Sequence, residues 1–471
     1  MTAVTGLPPT MADRKDEVTP MLGQYVECCE QHSDALVLFQ VGDFYEAFCE
    51  AAEEVARVCE VTLTQREDST GEYPMAGIPI DNAASYLEAL VEADYRVALA
   101  DQVEDAEAAS GLVDRAVTRV ITPGTVVEDA LLAAGSTTYV ASVVERTTAD
   151  GDRDGYGIAA VDASTGECFV TTVPTRGDVR EELDRVQPNE LLVADDTPTV
   201  APDGDWMESA VDAELFDSAA ARDRLTEYVA DPDRRLDNDA EQRACGAVLA
   251  YAEYTQGDDG PLEYVSRIRR HDHREQLRLD AAALRSLELF DNRGPGSGAT
   301  VFDVLDETAS ALGRRCLDRW LRRPLVDRTE IDARLDAVDA LVGDGIARSD
   351  LSDLLAEAYD LERLAGRISR ERANARDLRA LQATLSIVPD LKERIATVPA
   401  LSDHHDRLDR RDHDDDDRRE RPRGRRSLED RPVEGLDPID DRPAAEAARA
   451  GGVGPGDLRV FEVGREPGSE C

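Results

Sequence analysis

The feature that most restricts this chain is a change in apolar spacing partway along it. Up to about residue 230, short strand-like runs alternate with helical stretches, and from residue 238 only the helical period persists. ALVLFQVG, VTLTQR, YRVALADQV and RAVTRVITPGT read as strands, whereas EAFCEAAEEVARVCE and NAASYLEALVEA read as helices. Such alternation builds a mixed sheet with helices laid against it. Over residues 82–93, Leu87, Leu90 and Val91 fall at i, i+3 and i+4, giving that helix one apolar face. A second α/β block follows: TTYVASVVE, then GYGIAAVDASTGECFVTTV, whose two β-rich halves read as a hairpin, then the helix DVREELDRV and the strand ELLVAD. Beyond it, CGAVLAYAEYTQ, ASALGRRCLDRWLRR, TEIDARLDAVDALVG and LSDLLAEAYDLERLAGRISR are all helical by period, with Thr329 as the expected N-cap and Gly343 as the stop of the third.

The expected architecture is therefore multidomain α/β plus all-α. A loose polar arm covers residues 1–17, a mixed-sheet α/β domain 18–132, a second α/β domain 133–237, and a helical domain 238–402. Met11 and Met21 are alternative starts within or just after the arm. The tail, 403–471, sets acidic against basic blocks (DHHDRLDRRDHDDDDRRERPRGRR) with no apolar period, so it is expected to be disordered.

Charge narrows the setting. The formal net charge is −46 over 471 residues, and lysine occurs only at Lys15 and Lys392, so nearly all positive charge is arginine. This predicts adaptation to a molar-salt cytoplasm, where the Debye length is about 3 Å and surface carboxylates no longer repel one another. Acidity then speaks to solubility rather than to a partner. Nor does it exclude nucleic acid, because in high salt binding rests on shape, stacking and local arginines. The eight cysteines contain no C-x-x-C pair, so neither a zinc site nor a disulfide framework is implied. There is no basic-then-apolar leader and no apolar run near the ~20 residues that span a bilayer. A cytoplasmic location without membrane contact is expected.

Catalytic signatures are sparse. A phosphate-cradling loop requires G-x-x-x-x-G-K-[ST], and neither lysine follows a glycine. GPGSG at 294–298 reads as an inter-helix turn. The six histidines lack H-E-x-x-H spacing, and His271-Asp272-His273 reads as a solvated loop. Asp162 and Glu167 flank a turn and could hold magnesium in a nuclease-like site, but in so acidic a chain the exposed reading is favoured. That leaves residues 36–48, LVLFQVGDFYEAF, in a chain whose aromatics are only 5% of residues. If Asp43 caps a helix, Phe44 and Phe48 lie four apart on a core face, the reading that pattern alone favours. Alternatively the glycine turn lifts Phe44 clear of the domain as a wedge able to unstack a base step.

VGDFYEAF resembles the signature of the MutS family of DNA mismatch-repair proteins. Further matches follow in order: LTQR (63–66), PMAGIP (74–79), SYLEALVEADYRVALADQ (85–102), RVITPGT (119–125), LRLDAAALRSLEL (277–289), LGRRCLDRWLRRPL (312–325) and IDARLDAVDALV (331–342). The resemblance implies a mismatch-recognition domain over 18–132, an RNase H-like connector without nuclease chemistry over 133–237, and a helical core and lever over 238–402. It implies Phe44 as the stacking wedge and Glu46 as the group that hydrogen-bonds the displaced base. Arg66, Arg96 and Arg119 are the expected backbone contacts, arginine being suited to phosphate. The arginines of 312–323 (Arg314, Arg315, Arg319, Arg322 and Arg323) read as a solvated or inter-domain face. Implied partners are duplex DNA with mispairs or small loops, a MutL-type repair protein and a second copy of the chain, on the nucleoid. ATP and magnesium are implied for full-length family members only.

The match fades after Asp406, where composition resembles a reading frame out of register, and the family's clamp and ATPase do not follow. The expectation is a chain without nucleotide hydrolysis or a secure means of dimerising. Smaller departures are Ile80 and Asp81 after PMAGIP, and Ala116 where a basic residue is common. The alternative reading is a scaffold that binds other repair proteins without sensing mispairs.

Overall fold

The structure, a computed structural model, describes residues 5–15, 17–104, 111–127, 131–133, 135–148, 150, 152–195, 201, 204–257, 260–271, 276–292 and 299–409. The first domain runs α1 (Pro9–Ala12), α2 (Pro20–Gln31), β1 (Leu36–Val41), β2 (Phe44–Phe48), α3 (Glu50–Val58), β3 (Thr64–Asp68), β4 (Gly71–Pro79), α4 (Ala83–Glu92), β5 (Val97–Gln102) and β6 (Arg115–Ile121). Its six strands lie in the order β3-β4-β2-β1-β5-β6, with β1 and β5 parallel. Because strand side chains alternate, the sheet has two covered faces. Leu36, Leu38, Tyr45, Ala47 and Ile78 pack with α3 and α4. Val37, Phe39, Phe48, Tyr73 and Ala98 pack with α2. There Tyr25 meets Phe48 and Phe39 edge-on, at centroid distances of 4.9 and 5.7 Å, each contact adding roughly 0.5–1.5 kcal/mol beyond area burial.

Two expectations are corrected here. The N-terminal arm is not loose where it is described: Met11 is fully buried on α1, and Gly6 N–H donates to Ala35 O at 2.8 Å. The apolar Leu7 and Met11 give this polar stretch an anchor in the core. Nor does Asp43 begin a helix. Residues 44–48 pair with β1 on one side and β4 on the other, and two hydrogen-bonded edges override a helical period five residues long.

The second domain contains β7 (Val140–Thr147), β8 (Arg153–Asp162), β9 (Glu167–Val173), α5 (Arg176–Val186), β10 (Glu190–Ala194), β11 (Met207–Val211), α6 (Ser218–Thr226), α7 (Pro232–Arg235), α8 (Asp239–Thr255) and β12 (Ile268–Arg270). The order is β11-β10-β7-β8-β9-β12, and the predicted β8–β9 hairpin and the α5–β10 succession are present. The boundary at 237/238 is not. Helix α8 forms the heart of the second core, and β12 adds a strand beyond it. The approach is close: a Cβ at Gly157 of β8 would stand 2.4 Å from the Ala240 carbonyl carbon, so only glycine admits α8 there. Asp162 and Glu167 are buried, not exposed. Asp162 Oδ1 accepts from the Ser164 and Thr165 backbone N–H groups, at 2.8 and 3.2 Å, so this carboxylate holds the turn. His271, expected in a solvated loop, packs against Phe169 at 5.3 Å, and burial followed by the charge of Arg323 pushes its imidazole down to about 3.

The helical domain comprises α9 (Ala281–Ser286), α10 (Val301–Leu305), α11 (Ala311–Arg322), α12 (Arg328–Gly343), α13 (Gly345–Ala356), α14 (Leu361–Ser369), α15 (Ala375–Ala396) and α16 (Ser402–Asp409). Leu312, Leu341, Leu351, Leu391 and Ile395 centre its core. The N-cap of α12 is Asp327, accepting from Glu330 N–H at 3.0 Å, rather than Thr329. Helix α16 takes up the start of the predicted tail; residues 410–471, the GPGSG turn and His273 lie outside the described residues. Of the arginines of 312–323, two answer to the inter-domain reading, Arg319 donating to Glu167 at 2.6 Å and Arg323 to Glu182 at 2.7 Å, while Arg314, Arg315 and Arg322 pair with Asp306, Asp360 and Asp318 of their own domain. Among the described residues no helix is long and apolar enough to cross a membrane.

Candidate nucleic-acid interface

The site is built on the β1–β2 hairpin. Val41 pairs with Phe44, leaving a two-residue turn, Gly42-Asp43, in which Gly42 has φ +61°. A left-handed glycine at the first turn position is what a type II′ hairpin requires. Ile80 N–H donates to Asp43 O at 3.0 Å and so ties the turn to the end of β4. Phe44 is thus held at the tip of a strand bonded on both edges. Tyr45, Ala47 and Phe48 of the same strand are buried, yet Phe44 is 45% exposed. The ring leans across β4, 3.5 Å from where a Cβ would stand on Gly77.

Glu46, two residues along, shares this face of the sheet. Its carboxylate is mostly covered and accepts from Arg66 Nη1 at 2.7 Å. Arg66 reaches it from β3, and its other terminal nitrogen lies 3.5 Å from the Met21 sulfur, at the start of α2. Burial raises the Glu46 pKa above the ordinary glutamate value, against the pull of Arg66 and, at longer range, Arg115. Arg115, at the start of β6, is a residue that sequence reasoning missed. It donates to Gln40 O at 2.6 Å and to Val113 O at 2.8 Å, with its guanidinium 5.2 Å from the Phe39 ring centre. The pairing of β6 against Gln102 puts it on the Glu46 face, a placement that becomes legible only once strand register is known.

The remaining candidates lie elsewhere. Arg96 is buried, pairs with Asp34 and donates to Tyr251 Oη at 2.8 Å, which removes it from any DNA surface. Arg119 is half-buried and sits opposite Leu99, on the other face of the sheet. The cluster on one face is therefore Phe44, Glu46, Arg66 and Arg115: an exposed ring, one carboxylate and two guanidiniums. Among the described residues no group of three or more metal-ligating side chains stands together, and Asp162 Oδ1 is taken by its turn.

Three stretches of the chain match known families. Residues 19–130 match the model of MutS domain I, 138–266 that of MutS domain II, and 282–443 that of MutS domain III. The chain is 55% identical over 399 residues to a DNA mismatch repair protein MutS of Natronomonas pharaonis, covering 83% of this chain and 45% of that protein. It is 51% identical over 436 residues to MutS 2 of Haloarcula marismortui, covering 87% and 45%. Against MutS of Thermus aquaticus the figures are 40% over 388 residues, covering 82% and 44%. The chain thus spans just under half the length of the curated relatives it matches. The halophilic relatives accord with its acidic composition.

Proposed function

Because the chain belongs to the MutS family, we propose that it recognises mispaired and looped-out bases in duplex DNA, as the recognition part of a mismatch-repair protein. The single observation that carries this reading is Phe44, a large ring 45% exposed at the tip of a hairpin fixed on both edges. Such a ring enters the minor groove and separates two base steps, at a few kcal/mol per step. A mispaired step has less stacking and pairing to lose, so the kink forms there at lower cost, and deformability becomes the signal. Glu46, on the same face, hydrogen-bonds the displaced base, accepting as a carboxylate or donating once protonated. Arg66 and Arg115 offset the repulsion between that carboxylate and the phosphates, and in this reading Arg66 also contacts a phosphate. Arg96 and Arg119 have no part in this contact.

Recognition rather than hydrolysis is the role we assign to this stretch, since its 471 residues contain no G-x-x-x-x-G-K-[ST]. ATP and magnesium belong, in this reading, to the rest of a full-length family protein. A MutL-type repair protein and a second copy of the chain are the protein partners it calls for, in the cytoplasm on the nucleoid.

The test is equilibrium binding at molar salt to duplexes carrying a G·T pair or one extrahelical base, against a matched duplex, for wild type and Phe44→Ala. The wild type should prefer the defective duplexes, and the substitution should bring that preference close to unity. Equal wild-type affinities, unmoved by the substitution, would remove the reading and leave a scaffold for other repair proteins.

A further inference from the structure

We propose that Arg96, Tyr251 and Glu190 form a brace that fixes the Phe44 hairpin against the second domain, so that pressure on the ring bends the duplex instead of swivelling the first domain. The proposal rests on the wedge reading above. These three residues do not touch DNA; they are positioning residues.

Strand β1 has the wedge at one end and the brace at the other. Val41 pairs with Phe44 at the tip. At the opposite end Leu36 N–H donates to Arg96 O at 2.7 Å, and Asp34, two residues before the strand, pairs with the Arg96 guanidinium. Six residues of strand, about 20 Å at 3.3 Å each, separate the two ends. Arg96 then crosses to the second domain. Its Nη2 donates to Tyr251 Oη at 2.8 Å, and its guanidinium lies 5.4 Å from that ring's centre. Tyr251 Oη in turn donates to Glu190 Oε1.

Glu190 is the keystone, with 0% exposure. Besides Tyr251, its carboxylate accepts from Ser209 Oγ of its own sheet, and from Thr122 Oγ1 and Gly124 N–H of the segment leaving β6, the last at 3.2 Å. One turn along α8, Tyr254 Oη lies 2.8 Å from His32 Nδ1, just past the end of α2, with the two rings stacked. Three parts of the first domain are thus bonded to the second. An apolar junction could slide to a neighbouring packing. A buried carboxylate with four donors cannot move without losing partners in a low dielectric, so this junction has one geometry.

The experiment measures, with the full chain, the ratio of matched to mismatched dissociation constants for wild type, Phe44→Ala, Tyr251→Phe, Arg96→Met and Arg96→Lys. A 2-aminopurine beside the mispair reports unstacking directly. Tyr251→Phe and Arg96→Met should keep wild-type affinity for matched duplex and lose about tenfold of the preference, the worth of one hydrogen bond to a charged group. Arg96→Lys, which keeps the charge, should recover part of it. The 2-aminopurine should brighten on saturation with wild type and stay dim with Tyr251→Phe. A preference abolished by Phe44→Ala but kept by Tyr251→Phe and Arg96→Met would overturn the brace and leave the wedge standing. Equal weakening on both duplexes by Tyr251→Phe would also overturn it. A preference that survives Phe44→Ala would overturn the wedge, and the brace with it. Should Arg96→Met fail to fold, Tyr251→Phe, which deletes one oxygen, decides alone.

Discussion

Glu46 is a largely covered carboxylate paired to the Arg66 guanidinium at 2.7 Å. Burial pushes its pKa up, while Arg66 and then Arg115 pull it back without cancelling the rise. For an acid whose folded pKa lies above its unfolded one, the ionised form costs stability at pH above the folded value, and the cost fades as pH falls through it. Arg66→Met removes the nearest opposing charge, so the folded pKa should climb further. The variant should therefore be clearly less stable than wild type at pH 7, with the gap narrowing as acid protonates Glu46. Urea midpoints of both proteins across that range check this, and a gap independent of pH would dissociate Arg66 from the titration. The same residues mark the limit of reading a sequence one position at a time. Phe44 and Glu46 were legible through the motif, while their period suited a helix as well as a strand. Arg96 and Arg119 looked alike as exposed cations, yet one is buried against Tyr251 and the other lies on the far side of the sheet. Nothing local to either distinguishes them, because facing is set by strand register and domain docking.

The elements that matter most are the hairpin and α11. The turn holds Gly42 at φ +61°, a region where a Cβ costs about 1–2 kcal/mol per residue. Gly42→Val should lower unfolding stability by that amount and, by loosening the tip, reduce mismatch preference more than matched-duplex affinity. Denaturant unfolding and the two-duplex assay measure the two effects separately. Helix α11 is locked by Arg315, which donates to both Asp360 oxygens at 2.7 Å and to Glu362 at 2.8 Å. Burial alone would raise Asp360, but Arg315 holds it below the usual 3.8. Its depressed pKa means the pair stabilises the fold above the unfolded value and ceases to do so as pH falls through the folded one. Arg315→Met removes the bidentate partner of Asp360 and a donor to the buried Glu362, and should cost about 3 kcal/mol at pH 7, less in acid. Most elements were legible from apolar spacing: the β8–β9 hairpin, α4, α5, α11 and α12 fell where expected, whereas the helical run over 351–370 is broken at 357–360 into α13 and α14. The failures share one cause. Helix α8 is apolar all round over residues 244–252, so its period could not say that it belongs to the second sheet, and residues 44–48 and Met11 took their state from distant partners.

At the scale of the whole molecule, a net charge of −46 sets the conditions under which an acidic chain meets an acidic polymer. Much of its arginine already serves carboxylates, as at Arg96, Arg315, Arg319 and Arg323. Beside Phe44 stand two guanidiniums, Arg66 and Arg115, and each phosphate neutralised contributes about −0.9 to the slope of log K against log salt. Two such contacts give a slope near −2, far shallower than that of a basic DNA-binding protein. Repulsion between the protein and the duplex acts in the opposite sense. At about 0.1 M salt the Debye length is about 10 Å and the acidic surface opposes approach, whereas near 1 M it is about 3 Å and only contacts count. Affinity for the G·T duplex should therefore rise as salt is first increased, pass through a broad maximum, and then fall with a slope no steeper than about −2. Fluorescence anisotropy across a potassium chloride series gives the curve directly. A monotonic fall with a slope near −5 would mean that many more cations reach the backbone than this face presents, and would move the binding surface away from the Phe44 hairpin.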